Sequence, residues 1–348
     1  MNMENMRVAV YGAGAMGTVL GSFLTEAGVR VDLISRNAAH IDGLKKDGAV
    51  IECSADGVKK KIAVNALLPD EIKEKYDVVF LMTKQRENAE IVEFLKDKLT
   101  DNGIICTTQN GLPEARIAEI LGEEKTYGAA VSFGATFIGG GMVELTSKLS
   151  SMAMEVGGYL NGNEKTPMLC ELLGKVGGVC GNENFVKGTD NLAGARWSKL
   201  TINAAFSGLS VVTGCTFGEI AKREKSKNIA LGVIRECVAV AKAQGVKLAP
   251  LQGHDIEKLL GGNGFFSKMK AKLVLPIAMK NHKLLLSGML KDVQKGRKCE
   301  IDFINGAVVS QGKLAGVETP ICAQIVEIVH GIENGLYEIS YKNLDFFE

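Results

Sequence analysis

No apolar run in this 348-residue chain reaches membrane-spanning length, so no membrane partner is expected. An excess of one charge is missing too. The 41 Lys and Arg against 40 Asp and Glu leave a formal net charge of +1, which argues against a broad nucleic-acid surface. The eight cysteines form no C-x-x-C, and none stands at zinc spacing from a histidine. They read as reduced core thiols, with no metal site expected. The four histidines are scattered; His254 and His282 are either cleft residues or ordinary surface or packed imidazoles. Internal repeats and low-complexity tracts are absent. The start, M-N-M-E-N-M-R, lacks an apolar signal segment, so a cytoplasmic location is expected.

What is present is concentrated between Arg7 and Arg36. Val8-Ala9-Val10-Tyr11 is an apolar run of strand length. Gly12-Ala13-Gly14-Ala15-Met16-Gly17 follows and fits G-x-G-x-x-G. Met16, Leu20, Phe23, Leu24 and Ala27 then recur at helical spacing up to Gly28, and a second strand begins at Arg30. Strand, glycine turn, helix and strand in this order form a βαβ unit that binds a dinucleotide. Gly12 permits the tight turn, Gly14 lets a pyrophosphate approach the backbone, and Gly17 lets the helix lie close to the sheet. The helix start presents free N–H groups to phosphate.

The end of the second strand selects the cofactor. An NAD site usually places a carboxylate there, on the ribose hydroxyls. This chain has Ser35-Arg36-Asn37, with Asp32 earlier, inside the strand. The Arg36 guanidinium can fork onto a 2′-phosphate, so NADP(H) is expected; an ordinary surface arginine is the alternative.

The pattern predicts a helix from Asn37 to Asp47 and a strand pair over 49–64 around the Asp56-Gly57 turn. Buried parallel strands follow at Tyr76–Met82 and Ile104–Thr107, with helices at Glu87–Leu99 and Pro113–Leu121. Two strand ends carry polar groups, Lys84 in T-K-Q and Asn110 in Q-N-G. Ligands of open α/β sheets sit beyond such ends. Lys84 either meets a phosphate or ribose or is a solvated lysine. Asn110 either lines the cleft or serves a plain turn. The glycine-rich stretch Tyr127–Glu155 predicts a mixed or antiparallel extension of the sheet, and 167–176 another helix.

From Asp190 long apolar periodic segments predict helices over 191–212, 217–243, 302–314 and 320–333. Gly261-Gly262-Asn263-Gly264 reads as a loop. The expected architecture is α/β: a Rossmann-type dinucleotide-binding domain over 1–188 and an all-helical domain over 189–348. In the first helix of the second domain, Lys199, Asn203 and Ser207 stand four apart and share one face. Either the stripe faces a cleft between the domains, or it faces solvent. Glu300, in C-E-I-D-F-I-N-G, either accepts hydrogen bonds from a ligand or favours a helix start.

Taken together, G-A-G-A-M-G, the arginine after the second strand, T-K-Q, Q-N-G, W-S-K-L-T-I-N and C-E-I-D-F-I-N-G resemble the ketopantoate reductases (2-dehydropantoate 2-reductases) over nearly the full length. The resemblance implies a C-terminal domain like that of the 6-phosphogluconate dehydrogenase group, NADPH as hydride donor and a 2-keto acid as substrate. It implies Lys199 as general acid and Asn203 as substrate ligand, with Lys84, Asn110, Ala135 and Glu300 touching cofactor or substrate. A homodimer is a further possibility.

Three positions depart from the family pattern, all on its substrate side. Ser207 replaces a second asparagine, Phe217-Gly218-Glu219-Ile220 replaces an N-G-E-L-like segment, and Ser287-Gly288 replaces a serine pair. Ser207 and Ser287 are therefore expected to contact a substrate that is ketopantoate or another 2-keto acid. A non-catalytic NADPH sensor is the third reading.

Overall fold

The computed structural model describes residues 5–160, 164–251, 253–262 and 264–347. The chain divides into two compact units: 1–109 with 113–192, and 110–112 with 193–348. Asn263, in the expected 261–264 loop, lies outside the described residues, as do residues 1–4 at the chain start.

The first unit opens with β1 (Val8–Tyr11), α1 (Ala15–Glu26), β2 (Val31–Ile34) and α2 (Ala38–Asp47). It continues with β3 (Ala49–Cys53), β4 (Val58–Ile62), β5 (Asn65–Leu67) and β6 (Tyr76–Leu81). Then come α3 (Asn88–Lys96), β7 (Leu99–Thr107), α4 (Glu114–Leu121), β8 (Thr126–Val131), β9 (Ala135–Gly139) and β10 (Met142–Leu145). β11 (Met154–Gly158), α5 (Thr166–Cys180) and β12 (Val186–Gly188) complete it.

Eight strands form one sheet in the order β12-β11-β8-β7-β6-β1-β2-β5. The central strands are parallel, and β8–β11 is antiparallel. Alternation of side chains explains why these strands read as continuous apolar runs. Val8, Val10, Val78 and Phe80 enter the core on one face, with α1 and α5. Ala9, Tyr11, Val79 and Leu81 enter the core on the other, with α3 and α4. Both faces are dry, as in parallel sheets covered by crossover helices.

The glycine-rich stretch does not simply extend this sheet. β8 and β11 join it, but β9 and β10 pair with β3 and β4 in a separate four-stranded sheet, order β4-β3-β10-β9. Gly43 explains the close fit of that sheet on α2: a Cβ there would lie 2.2 Å from the Gly140 carbonyl carbon. The buried His40 adds a polar tie. Gly141 N–H donates to its Nδ1 at 3.1 Å, so Nε2 carries the ring proton and faces Thr18 Oγ1 at 2.9 Å. Burial lowers the His40 pKa and favours that neutral ring.

The second unit is helical: α6 (Leu192–Thr213), α7 (Phe217–Lys222), α8 (Glu224–Ala243), α9 (Ile256–Leu260), α10 (Phe265–Ala278), α11 (Gly288–Gln294), α12 (Asn305–Ala315) and α13 (Pro320–Glu333). The expected 217–243 helix is broken at Arg223, whose extended backbone ends α7 and starts α8. A capping box, Thr216 with Glu219, fixes the start of α7. Glu236 on α8 receives the Ile321 and Cys322 N–H groups at 2.7 and 2.9 Å and so closes the N-terminus of α13. Among the described residues no helix is long and apolar enough to cross a membrane.

Candidate functional site

The glycine turn sits at the carboxyl end of β1, between the ends of β6 and β2. Gly12 has φ +105°, and a Cβ there would meet Thr83 N at 2.5 Å. Only glycine fits both constraints. A Cβ on Gly17 would lie 2.3 Å from the Gly12 carbonyl oxygen, so this glycine sets the depth of α1 on the turn. Gly14 differs: nothing lies within 4 Å of its would-be Cβ, which leaves the backbone open on that side. Gly14 also caps α1 without a side chain, and the first turn, Ala15-Met16-Gly17, carries no carboxylate. An uncapped helix start beside bare backbone is chemistry suited to a pyrophosphate.

The end of β2 carries Ser35 and Arg36. Ser35 Oγ accepts the Asn37 N–H, and Asn37 caps α2. The Arg36 guanidinium, well exposed, pairs with Glu87 at the end of the Gln85–Glu87 turn that follows β6. Asp32 is engaged elsewhere: it accepts from Asn65 Nδ2 at 2.6 Å and from the Tyr76 hydroxyl at 2.7 Å. The strand's carboxylate is thus tied to β5 and β6, and a cation stands at the strand end. Lys84 is exposed at the start of the Gln85–Glu87 turn. Ala135 opens β9, half-buried, opposite Leu145.

Gln109 is the residue that motif reading passed over in favour of its neighbour. It is buried, and its amide donates to the Thr83 carbonyl and to Asn88 Oδ1, both at 2.7 Å. Its own oxygen accepts from Asn88 Nδ2 at 3.0 Å and Thr107 Oγ1 at 2.9 Å. This saturated amide pair locks the ends of β6 and β7 to the start of α3. The signal available in sequence was a glutamine directly after a buried strand. Asn110, next in the chain, is exposed and groups with the helical unit together with Gly111 and Leu112.

In the helical unit α6 carries Lys199, Asn203 and Ser207 on one face, all half-buried, while Leu200, Thr201, Ala204, Ala205 and Phe206 between them are buried. The stripe is therefore neither core nor open surface. Although part of the Lys199 surface is accessible, burial pulls its pKa down from 10.5 to about 7, with the Arg196 cation adding repulsion. Arg196, one turn earlier on the same face, is only 2% exposed. Its role was missed in the sequence, where A-R-W-S-K places two cations at i and i+3.

Two further elements are held against α6. Asn305 Nδ2 donates to the Ala204 carbonyl at 3.0 Å, which brings the segment after Glu300 to the level of Asn203. Gly208 makes room: a Cβ there would lie 2.7 Å from Asn305 Oδ1. Glu300 itself is half-buried and begins the turn Ile301–Phe303. Ser287 is buried, its N–H faces Ser210 Oγ on α6, and its own Oγ caps α11 by accepting from Met289. The helical unit thus gathers Lys199, Asn203, Ser207, Glu300 and Ser287 around α6. The sheet unit gathers Gly12–Gly17, Ser35, Arg36 and Lys84 at adjoining strand ends.

The family model described as "Ketopantoate reductase PanE/ApbA" matches residues 8–158, and that described as "Ketopantoate reductase PanE/ApbA C terminal" matches residues 191–333. The 2-dehydropantoate 2-reductase of Archaeoglobus fulgidus is 23% identical over 344 residues, covering 96% of this chain and 100% of that protein. That of Pyrococcus horikoshii is 26% identical over 320 residues, covering 91% and 94%. Among solved structures, D-mandelate dehydrogenase with NADH and anilino(oxo)acetate superposes with a TM-score of 0.80 at 23% identity, over 95% of this chain and 99% of that one. A Ralstonia eutropha ketopantoate reductase gives 0.77 at 24%, with the same coverage. A dimeric ketopantoate reductase of Staphylococcus aureus gives 0.72 at 16%, again over 95% of this chain and 99% of that one. The solved structures agree in fold, and both halves of one family's model are matched in chain order across most of the sequence: the chain belongs to the ketopantoate reductase family.

Proposed function

We propose that this protein reduces a 2-keto acid to a 2-hydroxy acid with NADPH, and that ketopantoate is its substrate. The observation that carries the proposal is Lys199, a half-buried ammonium whose pKa is drawn to about 7, on a polar stripe in the helical unit of this family. The residues of the sheet unit fit the cofactor: the open side of Gly14, the uncapped start of α1 and the cation at the end of β2. Arg36 would hold the 2′-phosphate with N–H groups left over from its pair with Glu87, or by exchanging that partner. Lys84 and Ala135 would line the same end, with Asn110 and Glu300 touching cofactor or substrate.

The nicotinamide, when bound, supplies the hydride. Lys199 would hold a proton at Nζ beside the keto oxygen, steady the negative charge that develops there and release the proton to it. A pKa near 7 suits this task, because the acid is substantially protonated at neutral pH yet gives up its proton readily. Asn203 and Ser207 would orient the substrate along the same face, and Ser287 would line its far side. The D-mandelate dehydrogenase likeness and the departures at Ser207 and Ser287 support a second reading, in which the chemistry is the same and the acid differs. A sensor without turnover has no use for a lysine so tuned.

NADPH oxidation with a panel of 2-keto acids tests the reading. Ketopantoate turnover well above that of simpler acids is expected; turnover only with another acid moves the assignment to the second reading, and none at all removes it. In the same assay Lys199→Ala is expected to lose ~10²–10⁴ in turnover while keeping its NADPH affinity. An undiminished rate takes Lys199 out of the mechanism. Arg36→Ala is expected to weaken NADPH binding by about tenfold or more and NADH binding little. Equal weakening of both would show that Arg36 does not read the 2′-phosphate.

A second copy of the chain is the macromolecular partner proposed. Phe265, Phe266, Met269, Leu273 and Ile277 lie on an arc of about 120° along α10, each at least half exposed. The face measures on the order of 600 Å², the upper range of what monomers leave bare, and approaches the ~800 Å² that each partner gives to a standard interface. Sedimentation velocity is expected to show a dimer that Phe266→Glu separates; a wild-type monomer at micromolar concentration contradicts it.

A further inference from the structure

The helical unit contains a cavity of about 470 Å³ where α8 faces α9 and the start of α10, away from the stripe on α6. Its charged lining consists of Arg235, Lys242 and Lys258, against the single carboxylate of Glu257. Arg235 is the unusual member. Its Nε is buried with no hydrogen-bond partner, and among the described residues no carboxylate pairs with its guanidinium. Burial lowers its pKa. The adjacent acid in sequence, Glu236, cannot serve, since its two oxygens receive the N–H groups of Ile321 and Cys322. A half-buried guanidinium whose buried Nε lacks an acceptor is a costly arrangement that a bound anion would relieve.

The other walls suit the same ligand. Lys242 reaches Glu257 only at 3.9 Å, and Lys258 meets Asp255 at 3.3 Å, both lysines being largely exposed and able to turn inward. Gly261 and Gly262 bring bare backbone to the rim. A Cβ on Gly262 would lie 2.6 Å from Ser267 Cβ, so the chain passes there only as glycine. Ser267 belongs to the first turn of α10, whose cap residue Gly264 offers no side chain and whose first turn holds no acid. Val238 and Ala239 add an apolar wall. The volume exceeds what a bare phosphate needs and falls within the ~300–1,000 Å³ of small-molecule sites.

We propose that this cavity binds a small phosphorylated metabolite by its phosphate group, anchored by Arg235 and flanked by Lys242, Lys258 and Ser267. The site is separate from the dinucleotide end of the sheet unit and does not depend on the reductase reading.

Isothermal titration of the full chain with ribose 5-phosphate and with inorganic phosphate, at constant ionic strength and with or without saturating NADPH, tests it. Saturable binding of ribose 5-phosphate is expected in both conditions. Arg235→Gln is expected to weaken it by about tenfold or more, Lys258→Ala by several-fold, and Arg36→Ala not at all. Lys258 is exposed, so its variant reports on the site even if Arg235→Gln does not fold. Three results would overturn the proposal: no saturable binding up to about 10 mM, affinity unchanged in both the Arg235 and Lys258 variants, or binding lost in Arg36→Ala or on adding NADPH. The last would place the ligand at the dinucleotide end.

Discussion

A lysine kept short of its normal affinity for protons is the constraint around which the helical unit is arranged. Lys199 stands on a helix whose adjoining side chains are packed away, and a second cation lies one turn below it. Water would restore an ordinary lysine, and a carboxylate close by would raise its pKa again. Burial limits the first, and desolvation with the Arg196 cation outweighs whatever opposes them. Holding that environment requires α6 to be fixed, and Asn305, Gly208 and Ser210 fix it through close contacts to α12 and the start of α11.

The sheet unit meets a different requirement, bare backbone at one strand end. Gly12 and Gly17 are demanded by sterics internal to the protein, since any side chain there would strike the Met82–Thr83 backbone or the turn itself. Gly14 is demanded by nothing in the protein. Its open side has a reason only if something outside the chain comes close, so among the three glycines it speaks most directly for a ligand. The Gln109–Asn88 amide pair serves the same end by keeping the β6 and β7 ends in register beneath the turn.

These differences explain what could be read from residues alone. The βαβ start was legible because local pattern, glycine spacing and strand burial all agree there. The polar stripe on α6 was legible because helical periodicity places Lys199, Asn203 and Ser207 together without long-range information. The second sheet was not, since β10 pairs with β3 across some ninety residues and its glycines carry no pairing signal. Nor were the roles of Arg196 and Arg235. Arg196 looks like an ordinary helix cation until its burial is known, and Arg235 until its buried, unpartnered Nε is.

Family membership settles the scaffold; Ser207 and Ser287, which depart from the family pattern, belong to the proposed substrate side. A shorter side chain at Ser207 leaves room and removes an amide, while Ser287 already spends its oxygen on capping α11. In the proposed reaction the chemistry rests on Lys199, whichever acid fills that side. The pH dependence of kcat/KM for keto-acid reduction, with NADPH saturating, tests this most directly. With Lys199 as the proton donor, the value falls about tenfold per unit once pH rises past the lysine's pKa of about 7. A profile that stays flat to pH 10, where an unperturbed lysine would still be charged, contradicts the account.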